Sequence, residues 1–153
     1  MSIFVFASTN LTNIWAGIGA GLWAVSNSEF APTNKGRATK ARNMKIGSFG
    51  ILYCVETQSL TTPFVVFCSP DPQSVIANVW PEEWVLPFKI HPLGTPRKQL
   101  GKDEAMTLLP TLVASGETNF GHVVYIQPIT VFSASRLTEL DWEVLIRRLA
   151  DGA

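Results

Sequence analysis

A single α+β domain is the fold class the sequence predicts, and three observations point to it. Short apolar runs with the density of strands recur through the first two thirds of the chain, separated by turn residues. Helical patterning is confined to a few segments and is clearest at the C-terminal end. The 153 residues, 46% of them apolar, supply one ordinary core and little for a second, so one domain is expected over 1–153.

Taken in order, IFVFAS has the composition of a first strand, and LTNIWAGIGAG reads as a short helix opened by a capping residue, Asn10 or Thr12. Gly17, Gly19 and Gly21 weaken that helix and are expected to let the backbone turn tightly towards Trp23. GSFGILYCVE and TPFVVFCS read as a hairpin or adjacent strands, the second ended by Pro70 and Pro72. FKIHPL follows as a strand after a polar loop carrying Trp80 and Trp84. DEAMTLLPTLVAS has helical character interrupted by Pro110, and FGHVVYIQPITVF alternates as a strand broken at Pro128. RLTELDWEVLIRRLA is the clearest helix: Leu137, Leu140, Val144, Leu145 and Leu149 fall on helical spacing, and Thr138 with Asp141 forms a capping box.

Composition then limits function. No run approaches the roughly 20 apolar residues of a membrane span, and MSIFVFAST lacks the basic leader of a signal peptide, so a cytoplasmic protein without membrane contact is expected. Cys54 and Cys68 lie inside apolar strand-like runs and read as buried reduced thiols rather than a disulfide or metal set. The net charge is zero, yet Lys35, Arg37, Lys40, Arg42 and Lys45 stand within eleven residues free of any acid, and Arg97, Lys98 and Lys102 form a second group. A basic face for phosphate is one reading of the first run, and a solvated loop is the other. His91 and His122 lie far apart, and the chain has no H-E-x-x-H, no nucleophile elbow and no P-loop, which argues against an enzyme, a metal or a cofactor.

The most informative residues are Asn13, Trp23, Trp80 and Trp84. One carboxamide can read the polar edge of a base, and indoles can enclose a flat or methylated group that a polar side chain cannot. Each has a plainer alternative: core packing for Trp23, helix capping for Asn13, an ordinary surface lysine for Lys102. Trp15 and Trp142 are assigned to the core, whereas at least one of Trp80 and Trp84 is expected to be partly exposed beside Pro81, Glu82 and Glu83.

The stretch FVFASTNLTNIWAGIGAGLWAVS, then VWPEEWVLPFKI, then QLGKDEAMTLLP resembles, in that order and at similar intervals, a YTH domain or its EVE relatives in the PUA-like superfamily. The resemblance covers roughly residues 3–112 and rests on the Ser-x-x-x-x-Asn-Ile start, the Trp ten residues after that Asn, and the Trp pair before an FKI strand. It implies a curved mixed sheet or small open barrel flanked by helices, and a pocket for a base methylated on its exocyclic amine. It implies cage walls at Trp23, Trp80 and Trp84, with the four-residue spacing of the pair leaving open which faces the base. Base-edge contacts are implied at Asn13, Thr9 and Ser8, and a phosphate contact at Lys102, where the family commonly has Arg. Residues 115–132 have no counterpart, so a different partner surface is expected there.

The function expected on these grounds is recognition of 6-methyladenine, with DNA favoured over RNA because of what prokaryotic EVE-like modules are attached to. The role would be specificity in a modification-dependent restriction system of the McrBC type, with the base flipped into the cage. A reader of 5-methylcytosine or a derivative, or of methylated RNA, is the alternative. A third reading, a methyl-lysine cage, draws on the carboxylates of Glu82 and Glu83. The end of the chain just after a helix would suit a module excised from a larger multidomain protein.

Overall fold

A computed structural model of the chain describes residues 1–26 and 31–152, without the side chains of 31–34. Its centre is a curled mixed sheet in which β1 (Ile3–Ser8), β3 (Phe49–Cys54), β4 (Ser59–Val66), β6 (Trp84–Pro92) and β2 (Leu22–Ser26) follow one another, with β5 (Val75–Ile76) beside β6 and β7 (Gln99–Gly101) beside β4. β1 and β3 are parallel, in register from Ile3 opposite Phe49 to Ser8 opposite Cys54. The other pairs are antiparallel.

The runs IFVF and ILYC are apolar at every position because both faces of the sheet are covered, and the pleat sends alternate residues to different cores. Phe4, Phe6, Leu52 and Cys54 join Ile14, Trp23, Phe64, Phe88 and Phe132 on one face. Ile3, Val5, Ile51 and Tyr53 join Leu100, Leu109, Val124, Trp142 and Leu145 on the other.

Curling comes from local breaks in two strands. At Thr62, whose φ of 53° is left-handed, and the following Pro63, β4 changes partner: Ser59–Thr61 pair with β7 and Phe64–Val66 with β6. In β6, Leu86 has a φ of 56° and the register with β2 shifts between Trp23 and Val25, the signature of a bulge that re-aims neighbouring side chains.

Helix α1 (Leu11–Ala20) is capped by Asn10, whose side chain accepts from the backbone N–H of Asn13. It ends at Gly21 with φ 69°, the left-handed turn that glycine takes without strain. Helix α2 (Ala31–Ala41) carries most of the basic run, which is therefore helical rather than a loop. Pro110 divides the next helical segment into α3 (Lys102–Leu108) and α4 (Pro110–Ser115), taking the first position of α4, where its missing N–H costs nothing.

The final helix α6 (Glu139–Leu149) has the predicted capping box. Asp141 does more than close it: its carboxylate accepts from Thr138 N (2.7 Å), Thr138 Oγ1 (3.1 Å), Thr111 N (2.9 Å) and Thr111 Oγ1, capping the start of α4 as well. One buried acid thus ties two helices together.

Several expectations are corrected. FGHVVYIQPITVF is not a strand but a short helix α5 (Gly121–Val124) and a 3-10 turn at Pro128–Thr130, since Pro128 has no N–H for a ladder and Tyr125 takes a left-handed φ of 62°. β4 begins at Ser59, ahead of the TPFVVFCS run, and ends at Val66, before Pro70. Cys54 is buried, but Cys68 is only half-buried; its sulfur accepts from the backbone N–H of Lys89. No helix among the described residues is long and apolar enough to cross a membrane.

Candidate functional site

Trp23 leaves Gly21 on β2 and turns its ring under α1, where glycine at position 17 makes room for it: a Cβ there would lie 2.7 Å from Trp23 Cε3 and 3.0 Å from the carbonyl of Leu22. Trp84 begins β6 opposite Ser26, and Trp80 precedes it in the loop after β5. The three indoles converge. Trp80 and Trp84 stack with centroids 4.1 Å apart and planes 12° apart, and Trp23 stands edge-on to both at 5.5 and 5.4 Å. These are the offset-stacked and T-shaped arrangements that aromatic quadrupoles favour.

Mutual packing explains why the loop indoles are not exposed as expected: Trp23, Trp80 and Trp84 are 1%, 4% and 6% accessible. A base held between two rings needs them about 7–8 Å apart, twice an ordinary carbon contact. Trp80 and Trp84 are therefore not opposed walls. Trp84 lines a cavity together with Trp23, whereas Trp80 stands behind Trp84 and donates its Nε1–H to the carbonyl of Asn13 (2.9 Å). The exposed indole is instead Trp15, assigned to the core from sequence but 42% accessible on α1.

The cavity measures about 270 Å³ and opens beyond the C-terminal end of β1. Ser8 and Thr9 stand at that end, with Ser26 and Arg37 on one side, Glu82 beside Trp84, and Tyr125, Gln127 and Val131 closing the remaining wall. Its volume lies just under the range of roughly 300–1,000 Å³ typical for drug-sized ligands, suiting one flat ring system rather than a whole nucleotide.

Of the residues singled out from sequence, Ser8, Thr9, Trp23 and Trp84 meet at this cavity, and so does Arg37, which the basic run had placed with phosphate. Asn13 does not line it. Its backbone serves Asn10 and Trp80, and Asn10, not Asn13, is the helix cap. Ser8 is buried and donates its hydroxyl to the carbonyl of Asn10, which holds the β1–α1 turn in place.

The basic residues divide into separate places. Lys35 and Lys45 are exposed, Lys40 donates to the carbonyl of Ile129, and Arg42 donates to Thr39 Oγ1. Lys102 starts α3 outside the cavity. The registers of Ser8 with Cys54, Cys54 with Ser59 and Ser59 with Gly101 place it at the same end of the sheet, about 14 Å away at three strand spacings.

Arg37 extends from α2 and donates from Nη1 to the carbonyl of Ser26 (2.9 Å), pinning the end of β2. Its Nε is sealed from solvent with no partner among the described residues, and burial pulls its pKa down from the ordinary guanidinium value. It remains a cation at neutral pH, because that ordinary value is so high. Glu82 accepts from the Nε1–H of Trp84 at 3.4 Å, leaving its second oxygen for another donor.

The wall from Tyr125 to Val131 lies in the segment where a different partner surface was expected, and it lines the same cavity as Trp23 and Trp84. Tyr125 sits in the left-handed region at a helix end, a conformation no residue pattern announced, and the neighbouring Pro128 suggests from sequence only an interrupted strand.

No family model matches the chain, and no curated protein matches it. Solved structures do. The YTH domain of the Zygosaccharomyces rouxii MRB1 protein, in complex with N6-methyladenosine RNA, superposes with a TM-score of 0.58 at 13% identity, covering 99% of this chain and 89% of that one. The apo CPSF4 YTH domain of Toxoplasma gives 0.57 at 13% identity, covering 98% and 88%. The YTH domain-containing protein Mmi1 in a complex with RNA gives 0.56 at 12% identity, covering 96% and 80%. The chain thus has a YTH-like fold: a curled mixed sheet flanked by helices, as the sequence led us to expect.

Proposed function

We propose that this chain is a binding module for a methylated base in single-stranded nucleic acid, with N6-methyladenine in RNA as the target. The observation that carries the reading is the cavity walled by Trp23 and Trp84 at the C-terminal end of β1, inside a YTH-like fold. RNA takes precedence over the DNA target and restriction role expected from sequence, because two of the similar structures are RNA complexes, one of them carrying N6-methyladenosine. Single-stranded RNA also presents its bases without the cost of a few kcal/mol for extrusion from a duplex.

In this reading the base stacks on Trp84 or Trp23, and the methyl group is buried among apolar atoms. Stacking contributes about 1–3 kcal/mol and sets affinity, while the methyl adds about 0.8 kcal/mol, or roughly fourfold. Stronger discrimination requires that the unmethylated amine lose a hydrogen bond to water which an indole face cannot replace. Lys35, two residues before Arg37 on α2, and Lys102 at the far side of the same sheet end would meet phosphates flanking the flipped base, whereas Lys45 precedes β3 at the opposite end of the sheet. Asn13 and Trp80 act by supporting the turn and the Trp84 ring rather than by touching the base. A methyl-lysine ligand is disfavoured, since Arg37 places a fixed positive charge in the same cavity as Glu82.

The test is a fluorescence-anisotropy titration with short RNA strands that are plain, N6-methyladenosine-bearing or 5-methylcytidine-bearing, and with their DNA counterparts. The N6-methylated RNA should bind at least about fourfold more tightly than plain RNA, and Trp84→Ala should remove the difference. Equal affinity for methylated and plain strands would sink the proposal.

A further inference from the structure

Arg37 and Glu82 are opposite charges that line one cavity, yet no ion pair joins them among the described residues. Each is held in place by another contact: Arg37 by the carbonyl of Ser26, Glu82 by the indole of Trp84. Burial lowers the Arg37 pKa with no carboxylate among the described residues offsetting it, which agrees with a separation between the two groups. A donor and an acceptor kept apart across a space lined by aromatic rings form a template for a flat ligand that has an acceptor and a donor on one edge.

Resting on the reading above, we propose that Arg37 and Glu82 are the residues that choose the base, by reading its polar edge. Glu82 can only accept at neutral pH and Arg37 can only donate. The complementary edge is an exocyclic amine beside an unprotonated ring nitrogen, which adenine and cytosine carry. With the exocyclic group held on the Glu82 side, where the Trp84 indole would cover the methyl, guanine and uracil would set a carbonyl against the carboxylate and a ring N–H against the guanidinium, so both of their groups would face a like partner. The pair thus selects amino bases over keto bases, and the indoles add the preference for a methyl group.

Adenosine and inosine differ in this edge and little else, so they isolate the effect. Short RNA strands carrying one central N6-methyladenosine, adenosine or inosine would be titrated against the wild-type chain, Glu82→Gln and Arg37→Gln, with folding checked by circular dichroism. Wild type should prefer adenosine to inosine by about tenfold or more, the scale of one mismatched base-edge pair. In Glu82→Gln the amide oxygen stays with the Trp84 indole and its NH2 group turns to the cavity, so the ratio should fall to within about threefold of unity. Arg37→Gln should lower it in the same direction.

If folded Glu82→Gln keeps the wild-type adenosine-to-inosine ratio while wild type still prefers the methylated strand, the edge-reading pair is wrong and the base-reader function stands. If wild type shows no preference for the methylated strand, the function itself fails and the pair falls with it.

Discussion

Gly17→Ala tests how α1 sets the position of Trp23. The added Cβ would lie 2.7 Å from Cε3 and 2.9 Å from Cζ3 of that ring, against an ordinary contact of about 3.5–4.0 Å. The ring must therefore move by about 1 Å, and with only 1% accessibility and edge contacts to Trp80 and Trp84 it has nowhere to go without disturbing them. Overpacking of this kind costs about 1–3 kcal/mol, partly offset by up to about 1 kcal/mol from the better helix propensity of alanine. Gly19 supplies the control, being on the same helix with no atom within 4 Å of the place its Cβ would take. Gly19→Ala should be neutral or stabilise by up to about 1 kcal/mol. In urea melts followed by tryptophan fluorescence, Gly17→Ala should therefore be about 1–3 kcal/mol less stable than Gly19→Ala, and it alone should weaken binding of methylated RNA. Equal stability of the two variants would refute the claim that this glycine is there for the ring.

Gly50→Ala should destabilise by about 3 kcal/mol in the same melts, because a Cβ on β3 would lie 2.2 Å from the buried Phe64 ring; a loss under about 1 kcal/mol would contradict that packing. Asp141→Ala should cost about 3–5 kcal/mol, since it strips the caps of both α4 and α6 and leaves the backbone N–H groups of Thr111 and Thr138 without their acceptor. A thermal midpoint within a few degrees of wild type would show that the two helices do not depend on it. Replacing Lys35 and Lys102 together with Ala should weaken methylated and plain RNA alike and reduce the salt slope by about 0.7 for each phosphate no longer neutralised; an unchanged slope in anisotropy titrations would place the phosphate path elsewhere.

Much of the fold was legible because it is written in local chemistry. The IFVF and ILYC runs announce strands covered on both sides, and Thr138 with Asp141 announces the start of α6. The strand edges were less so: β5 and β7 are two and three residues long, too short for any periodicity. Residues 121–130 were misread because an apolar run that alternates over a few positions looks the same in a short buried helix and in a strand.

The site divides in the same way. Trp23, Trp84, Ser8 and Thr9, which the family resemblance had grouped, line one cavity. Trp80 does not face the cavity because a spacing of four lets it stack flat on Trp84. The wall formed by Tyr125, Gln127 and Val131 depends on a long-range return of the chain that no motif encodes, and Arg37 looked like one more cation in a basic run until α2 carried it to the end of β2.

The most direct measurement is a titration of N6-methyladenosine RNA followed through the indole N–H resonances of the five tryptophans by nitrogen–proton correlation spectroscopy. Trp84 and Trp23 should show the largest shifts, with Trp80 responding through its stack on Trp84, while Trp142, on the opposite face of the sheet, stays in place. Saturable binding that leaves the Trp23 and Trp84 signals unmoved would contradict the account, because the base would then be held somewhere other than against these residues.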